Sequence, residues 1–368
     1  MHYDVAVIGA GPAGSACAYR LARSGRSVVI LERSAFPRTK VCGEYLSQSA
    51  RTELEALGVA EAVQHQATLL RQIRIHAASR TVELPFAGGA WSLSRADLDA
   101  LLCAHAESAG AVKITARAES FVQTAGGIQV AFRTDSGSED TLLARTIVGA
   151  DGMASAVARA FGLTKKSHGE ARFALGGHYR GFGHLGQSIE MYVRGKSYFA
   201  INPLGSELAN VMVIVPQKTL ADWRGAIDER LQEAARELAG GRRAVDPVQL
   251  AGKRVAIGPL EHATHAAALP NIYLVGDAAG FLDPFTGQGV SLALRSAALA
   301  TENILHGGAD AHLRYAREHR KLFARRARIA GLVSTLLKAP WLTPLAARTL
   351  QGSPFLCERL MHAITAGA

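Results

Sequence analysis

Short apolar runs that favour buried strands recur along the chain and are separated by helical stretches. Residues 4–8 form the first run, and an Ala-rich helical stretch follows it to about Arg23. A second strand is predicted at Ser27–Leu31, because its residues are mostly apolar and β-branched. Two later runs, 146–151 and 271–276, have the same character. The order strand, helix, strand predicts a Rossmann-like sheet of parallel strands.

Two other stretches, 67–95 and 165–250, alternate apolar and polar residues as half-buried strands do. The first predicts a hairpin, and the second predicts three strands and an amphipathic helix. The predicted elements are Ile73–His76, Thr81–Phe86, Ser188–Val193, Tyr198–Leu204, Asn210–Val215 and a helix at about Ala221–Leu238. The fold class that follows is mixed α/β, an α+β composite in which an antiparallel-sheet domain is inserted into the Rossmann-like one.

The same patterns divide the chain into three parts. Stretches 1–66, 96–164 and 251–310 are assigned to a dinucleotide-binding domain, stretches 67–95 and 165–250 to a substrate domain, and 311–368 to a C-terminal helical segment. A length of 368 residues, with 48% hydrophobic and 20% charged residues, is ordinary for such a folded protein and excludes a disordered or collagen-like chain.

The cysteines and the apolar runs further restrict the class of protein. The four cysteines are far apart, form no C-x-x-C pair and have no histidine at zinc-ligand spacing, so neither a disulfide framework nor a metal site is predicted. No basic leader precedes the first apolar run, and no apolar stretch reaches the ~18 residues of a spanning helix. We expect a cytoplasmic protein that at most attaches to a membrane surface, and we leave its oligomeric state open.

Positive charge is concentrated near the C-terminus. The formal net charge is +10, and the stretch His312–Arg348 contributes +8 of it, with nine Lys or Arg residues and one acid, Glu318. Apolar residues follow at helical spacing, and Pro340 and Trp341 end the run; the apolar positions are Ile329, Leu332, Val333, Leu336 and Leu337. Such a segment is either a packed helix with a solvated basic face, which is the more common case, or a membrane-surface helix. Nucleic-acid binding is not expected, because few aromatic residues interrupt the charges.

The first strand ends in a phosphate-binding motif, G-x-G-x-x-G at Gly9, Gly11 and Gly14. Gly9 permits a tight turn, Gly11 allows the backbone to approach a diphosphate, and Gly14 allows helix and strand to pack closely. Glu32 follows Gly14 by 18 residues and can accept hydrogen bonds from a ribose diol. A second match at Gly181–Gly186 is followed by a strand pattern rather than a helix, so it predicts only a glycine-rich turn.

Two later motifs distinguish FAD from NAD. The strands at 146–151 and 271–276 end in Asp-Gly and Gly-Asp, which places Asp151 and Asp277 at the ligand-binding edge of the sheet. A turn at Gly287–Gly289 then begins a long helix, predicted to about Leu305, whose N-terminus favours negative charge on a bound flavin. NAD needs no such third element, whereas a flavin has a ribityl chain and a ring to hold. The sequence therefore predicts FAD and an FAD-binding domain.

Together these motifs resemble the FAD-binding superfamily of para-hydroxybenzoate hydroxylase, flavin-dependent halogenases and geranylgeranyl reductases, over nearly the whole chain. The geranylgeranyl reductases are most similar, through Lys40–Ser47 and Asp283–Gly289. The resemblance implies that Asp277 contacts the ribityl chain, that Gly287–Val290 faces the pyrimidine ring and that Arg95 reaches the diphosphate. The predicted FAD contacts are Gly9, Gly11, Pro12, Ala13, Gly14, Glu32, Arg33, Cys42, Gly43, Arg95, Asp151, Gly276, Asp277, Pro284, Gly287, Gln288, Gly289 and Val290.

The resemblance also separates three reaction types. The W-x-W-x-I-P motif of halogenases is absent from this sequence. The turn Cys42-Gly43-Glu44 matches the C-G-[DE] turn of the reductases, but Ala200 and Asn202 replace Trp and Phe in their Y-x-W-x-F-P motif. We therefore expect hydride transfer to a C=C bond of a lipophilic molecule, with O₂-dependent hydroxylation of an aromatic or polyketide substrate in secondary metabolism as the alternative. A non-catalytic flavin-binding scaffold is the third hypothesis.

The remaining candidates concern the substrate side and the electron donor. Cys42 is a candidate catalytic thiol, although a lone cysteine is commonly a small buried apolar residue. His178, Tyr192 and Tyr198 are candidates to line an apolar substrate pocket. No second nucleotide motif is present, so NAD(P)H would dock transiently, and a protein electron donor is also compatible with the sequence.

Overall fold

The computed structural model describes residues 1–77, 80–165, 171–223, 225–238, 248–260, 262–281 and 284–338. Asp283, Pro340, Trp341 and the last 30 positions of the predicted C-terminal segment, 339–368, lie outside the described residues. The side chains of the predicted apolar positions from Ile329 to Leu337 also lie outside them.

The strands alternate with helices along the chain. The first strands are β1 His2–Ile8, β2 Val28–Glu32, β3 Tyr45–Leu46, β4 Thr68–Ala77, β5 Arg80–Ser92, β6 Val112–Thr124, β7 Gly127–Thr134, β8 Glu139–Gly149 and β9 Thr164–Lys165. The later strands are β10 Arg172–Arg180, β11 Ser188–Arg194, β12 Ser197–Pro203, β13 Leu208–Pro216, β14 Gln249–Leu250, β15 Val255–Ile257, β16 Ala263–Thr264, β17 Ala268–Leu269 and β18 Ile272–Leu274. The helices are α1 Pro12–Arg23, α2 Gln48–Ala56, α3 Ala60–Gln66, α4 Arg95–Ser108, α5 Ala156–Ala160, α6 Gln217–Asp222, α7 Ile227–Leu238, α8 Gly289–His306 and α9 Ala311–Lys338.

The first sheet is built on parallel strands in the order β6–β2–β1–β8–β18. Strand β7 pairs antiparallel with the distal parts of β6 and β8, and β17 pairs antiparallel with β18. Val5, Ala6 and Val7 of β1 are at most 1% exposed, as expected for a strand covered on both faces. Because the central strands are parallel, the carboxyl ends of β1, β2, β8 and β18 meet at one edge. The predicted Rossmann-like sheet is confirmed.

The second sheet has the order β14–β10–β13–β12–β11–β4–β5–β3, and β15 pairs with β10. All its pairings are antiparallel except that of β11 with β4, which is parallel from Ser188 to Val193. The predicted antiparallel sheet is confirmed with this one exception. The exception arises because β4 and β11 are far apart in the chain, so no hairpin dictates their direction. Strand β3 of this sheet falls in stretch 1–66, which the sequence assigned to the other domain.

One face of the second sheet is covered by helices, and the other faces the first sheet. Leu175, Phe199 and Val213 of the covered face pack with Leu231 of α7 and Trp223, which follows α6. The prediction of one helix at 221–238 was wrong, because the structure has two helices, α6 and α7. Gly225 lies between them with a φ of +80°, a left-handed conformation that ends a helix.

Helix α9 packs on the first sheet through an aromatic series. The Tyr315 hydroxyl, on a residue with no exposed surface, donates a hydrogen bond to the Leu274 carbonyl at 2.5 Å. His319 is 6% exposed and stacks on Phe323, with ring centroids 4.2 Å apart. Burial lowers the pKa of His319 from 6.5 to about 4, because the charged imidazolium would be desolvated there. Across the described residues, no helix combines the length and apolar character needed to cross a bilayer.

Replacing His319 with Leu should reduce the loss of stability in acid. The folded-state pKa of His319 lies below the unfolded value, so the unfolded chain takes up this proton more readily as pH falls from 6.5 toward about 4. Urea unfolding should show that the wild type loses about 2 kcal/mol more than His319→Leu between pH 7 and pH 5. His65, an exposed residue of α3, supplies the control variant His65→Leu. Equal pH dependence in both variants would contradict this account.

Candidate functional site

The turn between β1 and α1 leaves open space in front of the helix N-terminus. A Cβ on Gly9 would lie 2.5 Å from the Ala150 carbonyl oxygen, and one on Gly14 would lie 1.9 Å from the Gly9 carbonyl oxygen. At Gly11, by contrast, a Cβ would meet only guanidinium atoms at 3.8 and 3.9 Å. No side chain caps α1, which begins at Pro12. Its free N–H groups and the open space at Gly11 form a cradle for an anion.

Glu32 lies beside this cradle at the end of β2. Its Oε2 accepts a hydrogen bond from the Ala10 N–H at 2.9 Å, and its Oε1 accepts one from the Ser34 N–H at 3.1 Å. The side chain is buried, with 5% exposure, next to Ala10 of the glycine turn. The structure thus holds the Glu32 carboxylate at the sheet edge where the sequence predicts a ribose diol to bind.

Cations converge on the same cradle, and two of the residues that arrange them were missed from the sequence. Arg95 donates two hydrogen bonds to Asp99, both at 2.8 Å, and Asp99 has no exposed surface. Arg38 lies 2.9 Å from the same carboxylate and 3.4 Å from Glu32. Burial, together with the positive charges of Arg38 and Arg95, lowers the pKa of Lys40 to about 8. Such a cluster favours an anionic ligand of high charge, as a diphosphate is.

The Cys42-Gly43-Glu44 turn is held by amide side chains from the second sheet. Asn202 Nδ2 lies 2.9 Å from the carbonyl oxygens of both Gly43 and Glu44, and Asn210 Nδ2 donates to the Cys42 carbonyl at 2.6 Å. Asn202 and Asn210 face each other across β12 and β13 and are 2% and 3% exposed. They therefore bind the turn to the second sheet. From the sequence, Asn202 was recognised only as a departure from the reductase motif.

Glu44 joins helix α4 to the second sheet by its side chain. Its Oε1 accepts a hydrogen bond from the Arg95 N–H at 2.9 Å, and its Oε2 lies 2.8 Å from His178 Nε2. The hydrogen bond to Glu44 raises the pKa of His178, against the opposing effect of partial burial. The Cys42 thiol also contacts Arg95, and burial raises its pKa, against the opposing charge of Arg95. Glu44 itself was not predicted as a site residue.

The two predicted strand-end aspartates have different surroundings. Asp277 is accessible, yet desolvation by surrounding protein raises its pKa, while Arg95, His262 and Lys40 act in the opposite direction. This combination is typical of a carboxylate on the wall of a cleft. Asp151 Oδ2 accepts hydrogen bonds from the first two N–H groups of α5, those of Ala156 at 2.6 Å and Val157 at 3.3 Å, so it caps that helix.

The second helix N-terminus, that of α8, lies behind the turn. Gly287 has a φ of +64°, and a Cβ there would lie 2.7 Å from Tyr45 Cδ1, so only glycine fits. No side chain caps the helix at Gln288, whose own Oε1 accepts a hydrogen bond from the Ser49 hydroxyl at 3.3 Å. The remaining predicted contacts on this side are Gly276, which donates its N–H to Ser296 Oγ, Pro284 in a 3₁₀ turn, and Gly289 and Val290, the first residues of α8.

Of the three predicted pocket residues, two face the first sheet. Strand alternation and register put Tyr198 and His178 on the same face as Asn202 and Asn210. Tyr198 packs edge-on against Phe285, with ring centroids 5.1 Å apart. Tyr192 does not join them. It pairs with Phe199 on the opposite, helix-covered face, so its prediction as a pocket residue is corrected.

Elsewhere, Gly181–Gly186 forms a turn with a 3₁₀ segment at Gly183–Leu185, and β11 follows it. The prediction that this second glycine motif is only a turn is confirmed. Pro12 and Ala13 lie in the first turn of α1, Arg33 is exposed after β2, and Gly43 is exposed within the Cys-Gly-Glu turn.

Comparison with known proteins decides the family. Residues 2–328 match the family described as FAD binding domain. The chain belongs to this family. It is 30% identical over 329 residues to the menaquinone reductase of Mycolicibacterium smegmatis, covering 83% of this chain and 77% of the relative. It is also 30% identical over 316 residues to digeranylgeranylglycerophospholipid reductase 2 of Methanothermobacter thermautotrophicus, covering 82% and 77%.

A solved flavin-dependent brominase has the same fold, with a TM-score of 0.86 and 20% identity over 99% of this chain and 94% of that one. The FAD-binding family and its reductase relatives identify this protein as an FAD-dependent oxidoreductase, with FAD as cofactor. They support an enzyme rather than the scaffold that the sequence left open. The open cradle at Gly11, the converging cations and Glu32 fit the diphosphate and ribose of FAD.

Gly11→Ala should weaken FAD binding and leave the fold intact. The φ of Gly11 is −76°, which suits any residue, so the added methyl group is tolerated by the backbone but occupies the cradle. We expect FAD affinity to fall by about tenfold or more, measured by flavin fluorescence quenching, with unchanged circular dichroism. The control is Gly331→Ala, where a Cβ meets no atom within 4 Å. Unchanged FAD affinity in Gly11→Ala would place the diphosphate elsewhere.

Glu44→Gln should lower the pKa of His178. The hydrogen bond from His178 to the Glu44 carboxylate raises that pKa, and a neutral amide removes its electrostatic part while keeping an acceptor for the Arg95 N–H. NMR titration of the His178 imidazole in the FAD-free protein measures the change. Glu207→Gln, at an exposed ion pair with Arg180, is the control. A His178 pKa that does not move would show that Glu44 carries no charge there.

Proposed function

We propose that the protein reduces a carbon–carbon double bond of a lipophilic, isoprenoid-type small molecule. The observation that carries this proposal is the Cys42-Gly43-Glu44 turn, which lies between the FAD cradle and an apolar sheet face. Arg95 contacts both Cys42 and the cradle, and the sheet face carries Tyr198 and Met212. The two reductase relatives support the same reaction class, since both are named for reduction of molecules that carry isoprenoid chains.

Bound FAD supplies the hydride in this family, and the chain supplies position, exclusion of water and a proton. Tyr198, Met212 and Phe285 belong to one apolar cluster above the turn, which keeps water away from a hydrocarbon substrate. The proton shared by His178 Nε2 and Glu44 Oε2 is next to that cluster, on the same sheet face. Addition of H⁻ and H⁺ across a double bond balances the reaction. NAD(P)H, the donor typical of this family, returns the electron pair.

A second candidate is O₂-dependent hydroxylation of an aromatic or polyketide substrate. It is favoured by Ala200 and Asn202, which replace the Trp and Phe of the reductase motif. Asn202 donates its amide hydrogens to the turn, and with Asn210 and His178 it makes part of this sheet face polar. Both reactions use the same cradle and differ in what accepts electrons from the flavin.

An anaerobic experiment separates the two candidates. Protein reduced with NADPH is mixed with a polyprenyl quinone or a polyprenyl glycerolipid, and flavin absorbance is followed as the product is analysed by mass spectrometry. Reduction predicts recovery of the oxidised flavin spectrum without O₂ and a dihydro product. Recovery that requires O₂, with a hydroxylated product from an aromatic substrate, would establish the second candidate instead.

Cys42→Ser tests the turn within the same assay. We propose that the Cys42 thiol, whose sulfur accepts a hydrogen bond from the Glu44 N–H, assists the transfer of the proton held by His178 and Glu44. The variant should then keep FAD and reoxidise more slowly by about 10²-fold, the usual effect of losing such a group. Cys103→Ser, a buried thiol on α4, is the control. Wild-type reoxidation by Cys42→Ser would show that the thiol only fills space.

A further inference from the structure

The outer side of α9 carries positive charge that the FAD site does not use. Its described exposed residues fall on one stripe, which covers about 120° of the helix at 100° per residue. We call these residues the basic face: Leu313, Arg317, Arg320, Lys321, Ala324, Ala327 and Arg328. The basic face contains four cations and, among its described members, no acid.

The acids near this helix are engaged elsewhere. Glu318 lies off the stripe and accepts a hydrogen bond from Asn303 of α8 at 2.7 Å. Asp310 pairs with Arg314, which also donates to the Gly307 carbonyl. The four cations of the basic face therefore remain uncompensated by these carboxylates.

The inner side of α9 fixes which way the basic face points. Tyr315, His319 and Phe323 form a continuous aromatic series toward the body of the protein, and the Tyr315 hydroxyl is bonded to β18. A Cβ on Gly280 would lie 3.9 Å from Phe323, so this inner side also borders the segment that leads into α8. The basic face is thus the outside of a helix whose inside is part of the wall near the FAD site.

We propose that the basic face docks the protein on the headgroups of an anionic phospholipid bilayer. Charge complementarity supports it, since juxtamembrane cations are attracted to anionic lipid surfaces. Two further observations favour lipid over nucleic acid. Leu313 is 57% exposed among the cations, and the sequence from Ile329 to Cys357 is largely apolar and contains no acid.

This docking goes beyond the proposed reaction and would bring the FAD site to the surface of a membrane. Docking does not require catalysis, so a vesicle-binding experiment tests it without a known substrate.

The test is flotation of the full-length, FAD-loaded protein with vesicles of phosphatidylcholine, alone or mixed with phosphatidylglycerol. We expect binding only to the mixed vesicles, and weaker binding at high salt. The double variant Arg317→Gln/Arg320→Gln should bind about 30-fold more weakly, since each cation contributes about fivefold near an anionic surface. The matched control is Arg23→Gln/Arg26→Gln, two exposed arginines at the same spacing near the end of α1.

FAD absorbance and thermal melting of both double variants establish that they are folded. Failure of the wild type to float with mixed vesicles, or equal flotation of the two double variants, would overturn the proposal. Preferential binding of single-stranded RNA that is lost in Arg317→Gln/Arg320→Gln would overturn it in favour of a nucleic-acid surface.

Discussion

Three successive main-chain carbonyls, those of Cys42, Gly43 and Glu44, receive hydrogen bonds from two asparagines of another sheet. A carbonyl removed from water without a donor costs about 1–3 kcal/mol, so Asn202 and Asn210 stabilise this shape of the turn. The Leu93 N–H also donates to the Glu44 carbonyl, at 3.2 Å. Glu44 adds a second connection, to His178 on one side and to the Arg95 amide on the other. These hydrogen bonds determine where the Cys42 thiol lies and how Arg95 is oriented. They also determine how the second sheet packs over the thiol.

The cradle on the other side of the turn is arranged mainly by ion pairs. Arg38 and Arg95 share the fully buried Asp99, and Lys40 stands close enough to lose part of its affinity for a proton. Glu32 and Asp99 pair with these arginines, and a bound diphosphate would add negative charge beside all three cations. Its binding would stabilise the folded chain by mass action, by an amount that grows with the logarithm of FAD concentration. Cofactor retention and stability are therefore coupled in this protein.

The sequence predicted the parts of the site that are local and missed those that depend on distant partners. The glycine turn, Glu32 and Asp277 follow strands whose ends can be recognised from pattern alone. Arg38 and Asn210 carry no local signal, because Arg38 acts through Asp99 and Asn210 through Cys42, both distant along the chain. Asp99 does carry one that was not recognised, because it pairs with Arg95 at the i, i+4 spacing of a helix. Tyr192 could have been placed correctly. A two-residue turn at Gly195-Lys196 pairs Val193 with Tyr198, and alternation then sends Tyr192 to the opposite face. No turn or local sequence pattern predicts the parallel pairing of β11 with β4.

The distance along the chain between the turn and its donors has a consequence for biosynthesis. Glu44 and Asn202 are 158 positions apart, and Cys42 and Asn210 are 168 positions apart. Because a ribosome makes the chain from its N-terminus, the glycine cradle emerges while the strands that fix the neighbouring turn do not yet exist. A nascent chain that has reached Ala150, which packs against Gly9, already contains the cradle residues described above, but it completes the turn only after β13 has emerged. The residues of the cradle are thus synthesised before the residues that complete the neighbouring turn.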